Sequence, residues 1–157
     1  MRIGRLRTMA APVLLGAVLL AGCSGSGSSA TSTTSSSTTA ASTDPCRTGY
    51  QAAASRLNSV ARYFSQAAQN GQMNEQFAQF ASNYVEAMKT FDTTVSALPC
   101  TGAVKDDLTQ LVAAQTQLEP LVAQFAAGER PPVAQFNAAA SAVADAVKRV
   151  NAALGIG

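Results

Sequence analysis

An all-α chain, folded as an antiparallel up-down four-helix bundle with one disulfide, is what three features of the sequence predict. Apolar residues recur at steps of three and four through four successive segments from residue 47 onward, a spacing that puts them on one helix face. Alanine, the strongest helix former, supplies 25 of the last 111 residues. Helix breakers stand between the segments: Asn70-Gly71, Pro99, and Gly128 followed by Pro131-Pro132. No strand alternation and no internal repeat competes with this pattern.

The first segment covers residues 47–69, with the stripe Tyr50, Ala53, Leu57, Val60, Phe64 and Ala67; Asn70-Gly71 supplies a left-handed stop. The second covers residues 73–98. Phe77, Tyr84, Phe91 and Leu98 recur every seven residues, and Phe80, Ala81, Met88 and Val95 widen the stripe. Glu75 falls in its first turn, where the helix dipole favours a negative charge. The third covers residues 102–127, with Thr101 as N-cap candidate and Asp106 and Asp107 near its start. Its stripe is Val104, Leu108, Leu111, Leu118, Val122 and Phe125, with Gln115 at a core position. Pro120 lies inside it, and a proline ring there clashes with the preceding turn, so a kink is expected. The fourth starts after Pro131-Pro132, with the stripe Val133, Phe136, Ala140, Val143, Val147, Val150 and Leu154. Lys148 and Arg149 complement its C-terminal end. Short connections between four helices imply antiparallel neighbours.

Ahead of this domain, which spans residues 46–157, the chain reads differently. Residues 1–8 carry three arginines and no acid, and residues 9–20 are apolar apart from Pro12 and Gly16. That run suits a secretory signal and is short for a membrane span, which needs about 20 apolar residues. Leu20-Ala21-Gly22-Cys23 follows. The arrangement resembles the lipobox signal of bacterial lipoproteins. The resemblance implies that residues 1–22 are removed at the bond between Gly22 and Cys23. It also implies that Cys23 carries a diacylglyceryl group and, on its new amino terminus, an acyl chain such as palmitate. Two or three acyl chains, at about 0.8 kcal/mol per buried CH₂, anchor stably.

Residues 24–45 hold 15 Ser or Thr out of 22, too polar for a core. Residues 23–45 are therefore read as a lipidated cysteine followed by a disordered, flexible linker, with an r.m.s. span of about 25 Å. The Ser/Thr tether and the Ala-rich helical part are similar to those of small actinobacterial envelope lipoproteins. The expected location is the extracytoplasmic face of the cell membrane, held by the lipid anchor. Loss of Arg2, Arg5 and Arg7 with the signal leaves eight basic side chains against nine acidic ones, so no clustered basic footprint points to nucleic acid.

With Cys23 assigned to lipid, Cys46 and Cys100 remain, and an exported chain favours pairing them. The topology agrees independently. Cys46 precedes the first helix and Cys100 follows the second, so antiparallel packing puts both at one end of the bundle.

Chemistry-bearing patterns are scarce. The sequence has no histidine, which removes the commonest general base, the usual zinc ligand and the usual haem ligand. Glu75, Glu86, Glu119 and Glu129 are scattered and mostly off the stripes, so no metal site is expected. No G-x-S-x-G, S-x-x-K, G-x-G-x-x-G or P-loop occurs, and no catalytic residue and no cofactor is expected. Tyr50 and Tyr84 lie on core stripes; Met73 and Met88 are too far apart for a thioether copper site. Gln115 beside Pro120 is the oddest pairing. It fits either a pocket between the third and fourth helices or a tolerated bend with Gln115 bonded to backbone. The expected function is a non-enzymatic interaction or structural module contacting an envelope protein or a wall polymer. The alternative is a carrier of a hydrophobic small molecule, lipid or haem, in the aromatic core.

Overall fold

The structure, a computed structural model, describes residues 44–70 and 73–156. The signal, Gly22, Cys23 and nearly all of the linker lie outside the described residues. Four helices follow in order: α1 Pro45–Gln69, α2 Glu75–Ser96, α3 Gly102–Ala126 and α4 Val133–Ala153. Among the described residues none is long and apolar enough to cross a membrane.

Their ends are set by local chemistry. Asp44 Oδ1 accepts a hydrogen bond from the Cys46 N–H at 3.0 Å, and Pro45 occupies the first turn of α1, where its missing N–H costs nothing. Asn74 Oδ1 accepts from the Phe77 N–H at 2.9 Å and starts α2 two residues later than the apolar pattern predicts. Thr101 stands at the N-cap of α3, but its side chain makes no capping bond, a correction to its expected role. α3 and α4 end in the same device. The Glu129 N–H reaches back to Gln124 O and the Ile156 N–H to Asn151 O, each at 2.8 Å. Gly128 and Gly155 take the left-handed conformation that this reversal needs.

Helices joined by a short loop pack side by side and antiparallel. The Cys46–Cys100 disulfide, with Cα atoms 5.1 Å apart, ties the start of α1 to the end of α2. Phe77 at the start of α2 meets Phe125 at the end of α3, with ring centroids 5.5 Å apart. Phe125 in turn meets Phe136 at the start of α4, at 5.6 Å. Arg149 Nε approaches Asp107 Oδ1 at 3.8 Å, linking α4 to α3, while Lys148 pairs with Asp145 on its own helix. Lys148 and Arg149 therefore lean on carboxylates and not on the last turn. α1 and α4, joined by no loop, keep their Cα atoms more than 8 Å apart.

The core has two layers. The disulfide layer gathers Cys46, Tyr50, Phe91, Leu108, Leu111, Val150 and their neighbours. Gly49 belongs to this end: a Cβ there would run into Leu98 Cδ2, so glycine lets α1 close against the end of α2. The second layer gathers Phe64, Phe77, Met88, Leu118, Val122 and Phe136. The stripes hold with two kinds of exception. Val133 is 59% exposed: it is the first residue of α4, and the side chain that this turn buries is Phe136. Ala54, Ala114, Leu121, Ala139 and Ala146 are buried although the spacing did not single them out.

Candidate functional site

Gln115 and Pro120 do not form a pocket. They stand five residues apart, about 140° around the helix at 3.6 residues per turn. Gln115 is 2% exposed, whereas Pro120 faces solvent within a helix that runs on to Ala126. Gln115 Oε1 has no hydrogen-bond partner among the described residues, so the expected bond to backbone is also corrected. The Tyr50 hydroxyl is likewise buried without a partner, and burial pushes it up to about 12.

The α2–α3 interface carries a carboxyl pair that the spacing did not single out. Asp92 is half-buried, and one of its two carboxyl oxygens, Oδ1, has no hydrogen-bond partner among the described residues. Burial, then the negative charge of Glu119, then a hydrogen bond between the two carboxyls raise Asp92 from 3.8 to about 7. The sequence did hold a signal: Asp92 is four residues after Met88 and three before Val95, on the flank of the stripe, and Glu119 is one turn after Gln115.

This pair sets a pH dependence. The folded protein holds a proton on Asp92 that the unfolded chain has already released between about pH 4 and 7. Its contribution is therefore complete below the unfolded value of 3.8 and is lost as pH rises through about 7. Water screens a half-exposed group, so about 1–2 kcal/mol is at stake. Asp92→Asn, which keeps the neutral form, is expected to exceed the parent in stability by that amount at pH 8 and to match it near pH 4. Urea denaturation at the two pH values checks this, and a variant less stable than the parent at pH 8 would refute it. Among the described residues no group of three or more His, Cys, Asp or Glu is placed to hold a metal.

Two open hollows stand out among the described residues. The smaller, about 100 Å³, lies beside the disulfide and is lined in part by Leu98, Cys100, Lys105 and Val112. The larger, about 190 Å³, lies at the opposite end, between the last turns of α1 and the first turns of α2. Tyr63 and Phe80 flank it, near-parallel at 15° with ring centroids 6.2 Å apart. Gln66, Asn70, Asn74 and Gln76 supply its polar edge, and among the described residues no charged one lines it. Tyr63 is 60% exposed. The side-chain amides of Gln66, Asn70 and Gln76 make no hydrogen bond among the described residues, whereas Asn74 is committed to capping α2. Tyr63, Gln66 and Asn70 follow one another at steps of three and four along the end of α1, and Gln76 and Phe80 stand four apart on α2, so each set shares one helix face. That spacing was legible; what it lacked was the rotation that turns the two faces toward each other.

The aromatic side chains that motivated a carrier for lipid or haem are, apart from Phe80 at the cleft, taken up by packing. Phe64 stacks on Phe77 and Tyr84 at 5.4 and 5.3 Å, and Phe125 sits 5.9 Å from Phe64. Both hollows are open and fall below the about 300 Å³ that enclosing a whole lipid or haem would need. No family model, no curated protein and no solved structure matches the chain.

Proposed function

We propose that the protein is a lipid-anchored lipoprotein on the extracytoplasmic face of the cell membrane, whose bundle acts as a non-enzymatic interaction module at the end of a flexible tether. The observation that carries the interaction reading is the Tyr63–Phe80 pair. These rings flank a surface cleft beside uncommitted amides, while the other core rings pack on one another. Aromatic side chains with a polar rim are the usual furniture of recognition surfaces. The anchor reading is supported by the basic and apolar N-terminus, Leu20-Ala21-Gly22-Cys23 and the Ser/Thr run behind it. The disulfide suits an oxidising compartment.

Crosslinking of the tagged full-length chain in intact cells, followed by affinity purification, tests the whole reading. One envelope protein or wall polymer is expected to be enriched with the parent chain. It is expected to be lost with Cys23→Ala, which moves the protein from the membrane to the soluble fraction. A Cys23→Ala protein that stays with the membrane would overturn the anchor, and recovery of no component above background would overturn the interaction role.

A further inference from the structure

We propose that the cleft between the end of α1 and the start of α2 binds an uncharged sugar ring, stacked on Tyr63 and Phe80 and hydrogen-bonded by Gln66, Asn70 and Gln76. The inference rests on the interaction-module reading and names its ligand class.

Four properties of the cleft point the same way. The first is its aromatic strip. Two near-parallel rings with centroids 6.2 Å apart border the cleft and offer it apolar surface, Tyr63 being mostly exposed. The C–H face of a pyranose is flat and apolar and matches such a surface. The second is the polar edge. Sugar hydroxyls need a donor and an acceptor at the same time, and one primary amide supplies both from a single side chain. Gln66, Asn70 and Gln76 are three such groups with no bond among the described residues. The third is charge. Among the described residues the lining contains no Asp, Glu, Lys or Arg, so a phosphate, carboxylate or ammonium ligand would enter without a counter-charge. The fourth is size and openness. About 190 Å³ accommodates one ring-sized group and leaves the rest of a polymer outside, as binding along a glycan chain requires. An acyl chain fits less well, because it would bury the amides without hydrogen-bond partners.

The test is a two-dimensional amide NMR titration of the purified full-length chain in phosphocholine micelles, which carry no sugar. The probes are N,N′-diacetylchitobiose, maltose and α-1,6-mannobiose. At least one is expected to give saturable shifts confined to residues 63–70 and 73–80. The arm that responds separates an amino-sugar wall backbone from a neutral hexose polymer. Tyr63→Ala is expected to weaken binding about tenfold, the factor that about 1.4 kcal/mol of lost ring stacking produces. Tyr63→Phe, which keeps the ring, is expected to bind like the parent, and Gln76→Ala to bind more weakly. Tyr63 is exposed, so the unchanged remainder of the spectrum certifies that the variants are folded.

No saturable shift with any probe, or shifts that survive Tyr63→Ala, would overturn the sugar site. If crosslinking in cells still enriches an envelope component, the interaction role stands and only its ligand class falls.

Discussion

Replacing Cys46 and Cys100 together by serine is expected to lower the free energy of unfolding by about 2–4 kcal/mol. The bridge spans a sequence separation of 54, and the chain-entropy model gives about 4 kcal/mol for a loop of that length. The measured loss should fall at or below this figure, because a denatured chain is more compact than the reference state the model assumes. The bridge closes the open end of the α1–α2 hairpin, opposite the connection between Gln69 and Glu75. Without it that hairpin is held by one connection and by the disulfide-end core. The first turn of α1 should then open ahead of global unfolding, because only Cys46 and Tyr50 are buried there. Urea denaturation of the parent and the double variant gives the energy. Hydrogen exchange at residues 46–53 gives the location. A loss below about 1 kcal/mol, with unchanged exchange at those residues, would mean that packing alone holds this end.

The structure also shows which kinds of information a single sequence carries. Phe64, Leu108 and Val150 were readable as core because a large apolar residue that recurs at helical spacing marks the face a helix buries. Ala54, Ala114, Ala139 and Ala146 were not, because alanine occurs on every face of this chain and its presence does not mark a direction. Val133 was placed in the core by extending a stripe one step too far, to the exposed first residue of α4, where Phe136 is the side chain that packs. Asp44 and Asn74 are short-range caps and lay open to inspection, yet the apolar pattern drew the boundaries elsewhere. The Cys46–Cys100 pairing followed from topology, since antiparallel helices fix which ends meet. The Asp92–Glu119 pair and the Tyr63–Phe80 cleft did not follow, because each depends on the rotation of two helices about their own axes. Spacing gives each face separately and leaves that relative rotation open. Gln115 and Pro120 were joined on nearness in sequence, and 3.6 residues per turn separates them.

Phe64→Ala is expected to cost about 3–5 kcal/mol, the largest effect of any single substitution considered for this chain. Phe64 is 2% exposed and touches three rings from two other helices: Phe77 and Tyr84 on α2, and Phe125 on α3. Phe125 then reaches Phe136 on α4, so removal of one ring disturbs a layer to which all four helices contribute. Aromatic neighbours are stiff, and they refill a void less readily than Met or Leu would, which places the cost toward the upper part of the range. Val133→Ala is the matched control. It sits on a stripe read from the same kind of spacing but is 59% exposed, so its effect should stay within about 0.5 kcal/mol. Phe64 and Cys46 are about 27 Å apart along α1 at 1.5 Å per residue. Their perturbations should therefore add to within about 0.5 kcal/mol in the Phe64→Ala, Cys46→Ser, Cys100→Ser protein. Two layers that fold as one cooperative unit predict a single urea transition in each variant, shifted to lower denaturant with an unchanged slope. A Phe64→Ala cost under about 1.5 kcal/mol, or a two-step transition, would show that the aromatic layer and the disulfide layer are energetically separate.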